Sequence, residues 1–157
     1  EYSFMGFDGE FGTPDSRILS AEGSIYAGQF YNGTRVGYSM GPNLNISSSI
    51  RLSAMYIFEA LRFPGTVPGN ALNIHSVNLK GLFMFNTKLS ASLLVQFVNI
   101  EEDLLTNFRL RYNPREGNDF YMVYNDYRGI TGCRSGSECP PYGNKTIVVK
   151  YIHTFIL

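Results

Sequence analysis

Charged side chains recur at alternating positions in this sequence, and they are the residues most able to act on a solute. Arg109 and Arg111 alternate with Phe108, Leu110 and Tyr112, and alternate residues of a β-strand point to the same face. The same pattern places further residues opposite apolar neighbours: Arg51, Glu59, Lys80, Gln96 and Lys150. We predict that these side chains line the lumen of a barrel and select or repel solutes there. The alternative is that they pair with one another and stiffen a narrow barrel.

The sequence gives little support for catalysis, cofactor binding or nucleic-acid binding. His75 and Ser76 are adjacent, and adjacent residues of a strand point to opposite faces. No nucleophile motif accompanies them, so we predict that the chain is not an enzyme and needs no cofactor. The 13 basic and 13 acidic residues give a net charge of zero, which creates no field that attracts nucleic acid.

Cys133 and Cys139 lie close together in a loop rich in Gly, Ser and Pro. Their spacing does not suit zinc, and neither His75 nor His153 is near them in the sequence, so we predict no metal site. We predict instead a disulfide between them, which implies an oxidising compartment. Two free thiols are the alternative.

One stretch, 89–114, organises the elements that position these residues. Apolar residues occupy the odd positions from Leu89 to Phe97, and a second alternating segment follows at 107–113. A solvated turn is predicted between the two segments, at Glu101, Glu102 and Asp103. The stretch is therefore predicted to be an antiparallel hairpin with one apolar and one polar face.

The remaining sequence repeats this pattern, and no segment predicts a helix. Asn32-Gly33 is a strong hairpin signal, and Gly41-Pro42-Asn43 predicts a turn. The predicted strands lie at 1–12, 16–31, 34–41, 49–63, 73–85, 89–97, 107–113, 119–127 and 144–157. We therefore predict a single all-β domain, 1–157, with antiparallel up-and-down strands, about 8–10 in number.

Two architectures fit such strands. In a soluble sandwich or barrel the apolar face forms the core; in an outer-membrane barrel it meets lipid, and the polar face lines the lumen. Several segments exceed the usual length of about 5–6 residues and reach the roughly 9–11 that a tilted membrane strand needs. The longer loops, at 62–71 and 128–143, fall on one side, which also favours the membrane barrel. The last strand resembles the terminal signal of such barrels, although it ends at Leu157 instead of an aromatic residue.

Three segments resemble a known family. They are NFRLRYNPREGNDFYMVYND at 107–126, NKTIVVKYIHTF at 144–155, and FMFNTKLSASLLVQF at 83–97. They resemble the C-terminal barrel of bacterial outer-membrane proteins that carry a family-9-like carbohydrate-binding domain before the barrel. The resemblance extends from about residue 80 to 155, and the carbohydrate-binding-like domain is not in this chain. Because the role of that family is undefined, the resemblance implies a fold and a location but no catalytic residues.

These expectations combine into one hypothesis: a porin-like transmembrane barrel in the outer membrane of a Gram-negative bacterium, with a passive pore or a structural, anchoring role. Its partners would be membrane lipid, other envelope or surface proteins, or upstream strands of the same barrel. An odd strand number does not suit a closed bacterial barrel, so we expect 2–11 to pair with further strands and not with 147–155. The alternative is a soluble secreted barrel or sandwich that binds a ligand or a protein.

Overall fold

The computed structural model describes residues 5–65, 71–100, 103–129 and 143–154. Within these ranges no helix is long and apolar enough to cross a membrane. The described residues instead form nine β-strands: β1 (Gly6–Gly12), β2 (Leu19–Phe30), β3 (Gly33–Ser47), β4 (Ile50–Arg62), β5 (Ala71–Met84), β6 (Leu89–Val98), β7 (Asp103–Arg115), β8 (Asn118–Gly129) and β9 (Gly143–His153).

All nine strands belong to one sheet, and their order in the sheet is their order in the chain. Each strand pairs antiparallel with its neighbours in sequence. The predicted all-β, up-and-down fold is thus confirmed, and its strand number lies in the expected range. In the described residues β1 and β9 do not pair with each other, so the sheet is open. Closure into a barrel, and the partner of 2–11, stay predictions.

The connections between strands define two ends of the sheet. We call the end with the β1–β2, β3–β4, β5–β6 and β7–β8 connections the turn end; two of these connections are only 48–49 and 116–117. The other end, with the β2–β3, β4–β5, β6–β7 and β8–β9 connections, is the loop end. It includes the two longest connections, 63–70 and 130–142.

The hairpin of β6 and β7 forms as predicted, with Leu93 opposite Phe108 and Ala91 opposite Leu110. Its predicted turn was wrong at one residue, because β7 begins at Asp103, which pairs with Val98. Leucines at 104 and 105 extend the strand pattern and keep the backbone paired. Residues 101 and 102 lie outside the described part of the chain.

The predicted turn at Gly41-Pro42-Asn43 was also wrong, since β3 continues through it to Ser47. Pro42 pairs with Ala21 on β2, so the strand keeps a partner on that side. On the β4 side the pairing is interrupted between Met40 and Asn43 and then resumes in the same register. Proline has no N–H to donate to a neighbouring strand, which explains why the interruption falls there.

Paired residues of neighbouring strands share a face, so the register divides all side chains between two faces. The apolar face carries, among others, Phe7, Ile25, Val36, Tyr38, Met40, Leu44, Leu52, Tyr56, Val77, Leu79, Phe83, Leu93, Val95, Phe108, Leu110, Met122 and Val149. The polar face carries the residues between them. In the described residues, each segment that the sequence predicted to alternate does so in the register.

The apolar face lacks a second layer in the described part of the chain. Ala91, 6 % exposed, is the one buried apolar side chain there, whereas Phe7, Met40 and Val149 are 62 %, 56 % and 59 % exposed. In β3 the apolar face is the more exposed one, while Arg35 and its neighbours on the polar face are partly covered. The described strands therefore form a single sheet without an apolar core, not the two packed sheets of a sandwich.

Candidate functional site

The polar face holds every residue that the sequence assigned to a lumen. Pairing across the strands puts them on this one face: Arg51, Glu59, Lys80, Gln96, Arg109, Arg111 and Lys150. The period of two was sufficient to group them, because each was chosen opposite apolar neighbours on its own strand. Whether the polar face encloses a lumen stays a prediction.

Glu59 is paired with a residue that the sequence did not select. The guanidinium of Arg35 on β3 forms an ion pair with Glu59 on β4 and lies 5.3 Å from the centre of the Tyr26 ring on β2. Three strands are thus joined at the loop end of the polar face. Arg35 and Gly37 alternate with Val36 and Tyr38 in the sequence, so the face of Arg35 was predictable, but its partner was not.

Arg111 is also neutralised, by a carboxylate of the next strand. Its Nε and Nη2 atoms each lie 2.8 Å from Oδ1 of Asp119, and Nδ2 of Asn113 donates to the same oxygen at 3.0 Å. The guanidinium lies 5.8 Å from the centre of the Tyr121 ring. For Glu59 and Arg111, therefore, mutual pairing describes the geometry better than an uncompensated charge.

The other predicted cations differ. Arg51, Lys80, Arg109 and Lys150 are exposed, and none of them forms an ion pair among the described residues. Arg51 shares a polar depression with Asp15 and Glu22, without direct pairing. The neighbours of Lys80 across the strands are Ser53 and Leu94, which cannot neutralise it.

Neutral side chains fill the polar face between these charges. Asn107 on β7 donates to Asn125 on β8, and the hydroxyls of Ser24 and Ser39 lie 2.9 Å apart across β2 and β3. No buried polar side-chain atom in the described residues lacks a hydrogen-bond partner. Hydrogen-bonded neutral side chains thus accompany a few cations that remain available to a solute.

Aromatic residues form a cluster on the apolar face towards the loop end. Tyr38 lies 5.4 Å from Phe58, measured between ring centres, and Phe58 lies 5.0 Å from His75. The hydroxyl of Tyr56 is 2.7 Å from Nδ1 of His75. His75 thus hydrogen-bonds within the apolar face, while Ser76 belongs to the polar face, as the strand alternation predicts.

The apolar face also carries polar residues of β8 that the sequence did not predict. Asp126, 7 % exposed, accepts from Nη2 of Arg128 at 2.6 Å and from the hydroxyl of Tyr124 at 3.1 Å. Lys145 pairs with Asp126 across β8 and β9. At the turn end the same face carries Tyr112, which is paired with Phe120. The apolar band therefore has aromatic residues towards both ends and paired charges on β8.

The charges of the polar face are divided between the two ends. We call a set of residues paired from strand to strand a row; one row contains Ser53, Lys80, Leu94, Asn107 and Asn125. This row and those nearer the turn end form the basic half, with Lys80, Arg51, Arg109, Arg111 and Lys150, and with Asp119 as the acidic exception. The rows nearer the loop end form the acidic half, with Asp8, Glu10, Glu22, Glu59 and Asp103, and with Arg35 as the basic exception.

No protein-family model, curated protein or solved structure matches this chain. The resemblance to the outer-membrane family therefore stays a prediction. The predicted disulfide between Cys133 and Cys139 lies outside the described residues. In the described ranges, no group of three or more His, Cys, Asp or Glu side chains is arranged to hold a metal ion.

Proposed function

We propose that the chain is an integral outer-membrane β-barrel protein, or part of a larger barrel, with a passive pore or a structural, anchoring role in the bacterial envelope. The observation that carries this proposal is the apolar face, which is exposed over a single sheet and has no layer packed on it in the described residues. Soluble monomers rarely expose contiguous apolar patches above a few hundred Å². Lipid is the solvent in which such a face is stable.

The lengths of the strands support the same proposal. From β2 to β9 the strands have 10 to 15 residues. A strand that crosses a membrane at a tilt needs about 9–11 residues, whereas strands of soluble proteins have about 5–6. Each strand from β2 onwards is therefore long enough to span the hydrocarbon core.

The borders of the apolar face fit the two surfaces of a membrane. Aromatic girdles at both interfaces are typical of membrane barrels, because a ring with a polar atom suits the boundary between lipid and water. Such groups are present towards both ends of the apolar face. Towards the loop end they form the cluster of Tyr38, Tyr56, Phe58 and His75, and at the turn end they form the pair Tyr112–Phe120. The ion pair of Asp126 with Arg128 is a charged exception on this face, and its two side chains neutralise each other.

In this proposal the polar face becomes the inner wall. Its hydrogen bonds and its two ion pairs would hold the strands in register, and its exposed cations would meet water or a solute. The role we propose is passive, because such a wall offers polar and charged groups to a solute.

The second candidate is a soluble secreted protein that binds a ligand or a protein partner with the apolar face. The same observation supports it, because large exposed apolar surfaces also mark interaction sites. A partner would then cover the side chains that lipid covers in the first proposal.

Neighbouring leucines of β6 provide a matched test. Leu93 belongs to the apolar face and Leu94 to the polar face, and the 157 residues contain no tryptophan. Leu93→Trp and Leu94→Trp would each be introduced into the intact protein, which is then placed in vesicles whose acyl chains carry bromine. The membrane proposal expects lipid quenching of the Leu93→Trp reporter and iodide quenching of the Leu94→Trp reporter.

The two candidates give different results. A soluble protein would stay out of the vesicles, and both reporters would escape the brominated lipid. Lipid quenching at position 94 and iodide quenching at position 93 would show that the faces are reversed. The first result would refute the membrane proposal, and the second would refute the assignment of the two faces.

A further inference from the structure

We infer that the polar face collects small anions carrying a carboxylate or phosphate group over its basic half and repels them from its acidic half. The inference deepens the proposed function, because it names the class of solute that such an inner wall favours. It depends on the register of the described strands. It requires only that the polar face is exposed to water.

First, positive and negative side chains are separated along the polar face. The basic half begins at the row of Lys80, and the next row towards the loop end contains Asn78 and Gln96. Past that boundary the unpaired side chains are acidic: Asp8, Glu10 and Glu22 form no ion pair among the described residues. A net charge of zero therefore conceals two regions of opposite sign on one face.

The second step is the spacing of the free cations. Lys80 is directly opposite Leu94, and Arg109 is the diagonal neighbour of Leu94 on β7. Strands lie about 4.8 Å apart, so Lys80 and Arg109, two strands apart and one alternate position offset, are separated by about 12 Å at their backbones. Their flexible side chains can bring the two charged groups closer together than this. Leu94 lies on the strand between them, so both charges affect the ions near it. Rings of Lys and Arg are the means by which pores favour anions and phosphate.

The third step is the surroundings of these cations. The same-face neighbours of Leu94 on its own and adjacent strands include Ser92, Gln96 and Asn107 and no carboxylate. The nearest carboxylates are elsewhere: Asp119, on the basic half, is held by Arg111, and Asp15, in the β1–β2 connection, lines the depression that contains Arg51. An anion over β5, β6 and β7 would therefore meet positive charge with no carboxylate beside it.

The test measures the local concentration of ions beside a reporter in the intact protein in detergent. Leu94→Trp reports on the basic half. Ile57→Trp reports on the acidic half, since Ile57 is paired with Ser39 and Ser76 in the row of Glu10 and Asp103. Quenching by iodide and by caesium would be compared at low ionic strength. We expect the ratio of iodide to caesium quenching to be higher at position 94 than at position 57.

Removal of a single cation should lower that ratio. A unit charge one strand away, screened by about 0.1 M salt, changes the concentrations of iodide and caesium in opposite directions. Lys80→Gln should therefore lower the ratio at position 94 about two- to threefold, and Arg109→Gln somewhat less. Arg62→Gln removes the same charge from the apolar face, at the loop end, and should leave the ratio unchanged. Salt at about 1 M should abolish the difference.

The result at position 94 is independent of the lipid test at position 93. Equal ratios at positions 94 and 57, an equal effect of Lys80→Gln and Arg62→Gln, or inaccessibility of position 94 to both ions would overturn the inference. Any of these outcomes can occur while brominated lipid quenches Leu93→Trp. Conversely, the charge separation can be present in a protein that does not enter a membrane.

Discussion

Arg35 and Glu59 form an ion pair between β3 and β4, and this contact joins the one basic side chain that the described residues place in the acidic half to one of its carboxylates. The two side chains are 36 % and 26 % exposed, so water screens part of their attraction. The guanidinium lies over the ring of Tyr26 on β2, in a cation–π contact. The pair thus fixes the position of β3 between its two neighbours.

The first prediction concerns the free energy of this pair. A double-mutant cycle with Arg35→Gln and Glu59→Gln should give a coupling free energy of about 0.5–1 kcal/mol, the range for partly exposed pairs. Unfolding in urea, followed by circular dichroism, supplies the free energies. The corresponding cycle with Arg51→Gln and Glu59→Gln is the control and should be additive, because Arg51 forms no ion pair in the described residues. Equal coupling in both cycles would contradict the contact.

The second prediction compares the two faces at neighbouring positions. Leu93→Arg introduces a charge in the apolar face; if that face meets lipid, as we propose, an arginine near the midplane costs about 2–4 kcal/mol. Leu94→Arg places the same side chain on the polar face beside Lys80 and should be tolerated far better. The folded fraction can be measured by the heat-dependent shift of the protein in gel electrophoresis. Equal losses for the two variants would contradict the assignment of the faces.

The third prediction uses two glycines of different surroundings. A Cβ added at Gly23 would lie 2.7 Å from the backbone carbonyl oxygen of Ser39 and even closer to the Phe11 ring, whereas one added at Gly12 meets nothing within 4 Å. A backbone atom cannot move aside cheaply, so Gly23→Ala should destabilise the sheet by about 1–3 kcal/mol. Gly12→Ala should have little effect. Urea midpoints of the two variants provide the measurement, and a stable Gly23→Ala variant would argue against the β2–β3 register.

The fourth prediction concerns Cys133 and Cys139. If they form the predicted disulfide on the outer side, a membrane-impermeant maleimide should not label intact cells. Labelling should appear after reduction, because the thiols are then free. Cys133→Ser should leave one thiol that reacts without reductant. Labelling of the parent protein before reduction would show free thiols and remove the inference about the compartment.

The sequence by itself determined the approximate positions of the strands and their two faces. Alternation is a local property, since each side chain points away from its neighbours in the same strand. For this reason the predicted lumen residues, from Arg51 to Lys150, all share one face in the register. The separation of His75 from Ser76 was predictable for the same reason.

Only the tertiary structure decided which residues meet across the strands. Cross-strand partners depend on where each turn begins and on irregularities such as those between Asn45 and Ser47 and between Tyr112 and Arg115, and a change of one residue alters every partner. Local pattern could not reveal that β3 continues through Pro42, because the pairing with β2 compensates for the interruption on the other side. The Arg35–Glu59 pair and the division into a basic and an acidic half arise from the register of several strands together, which no single segment contains.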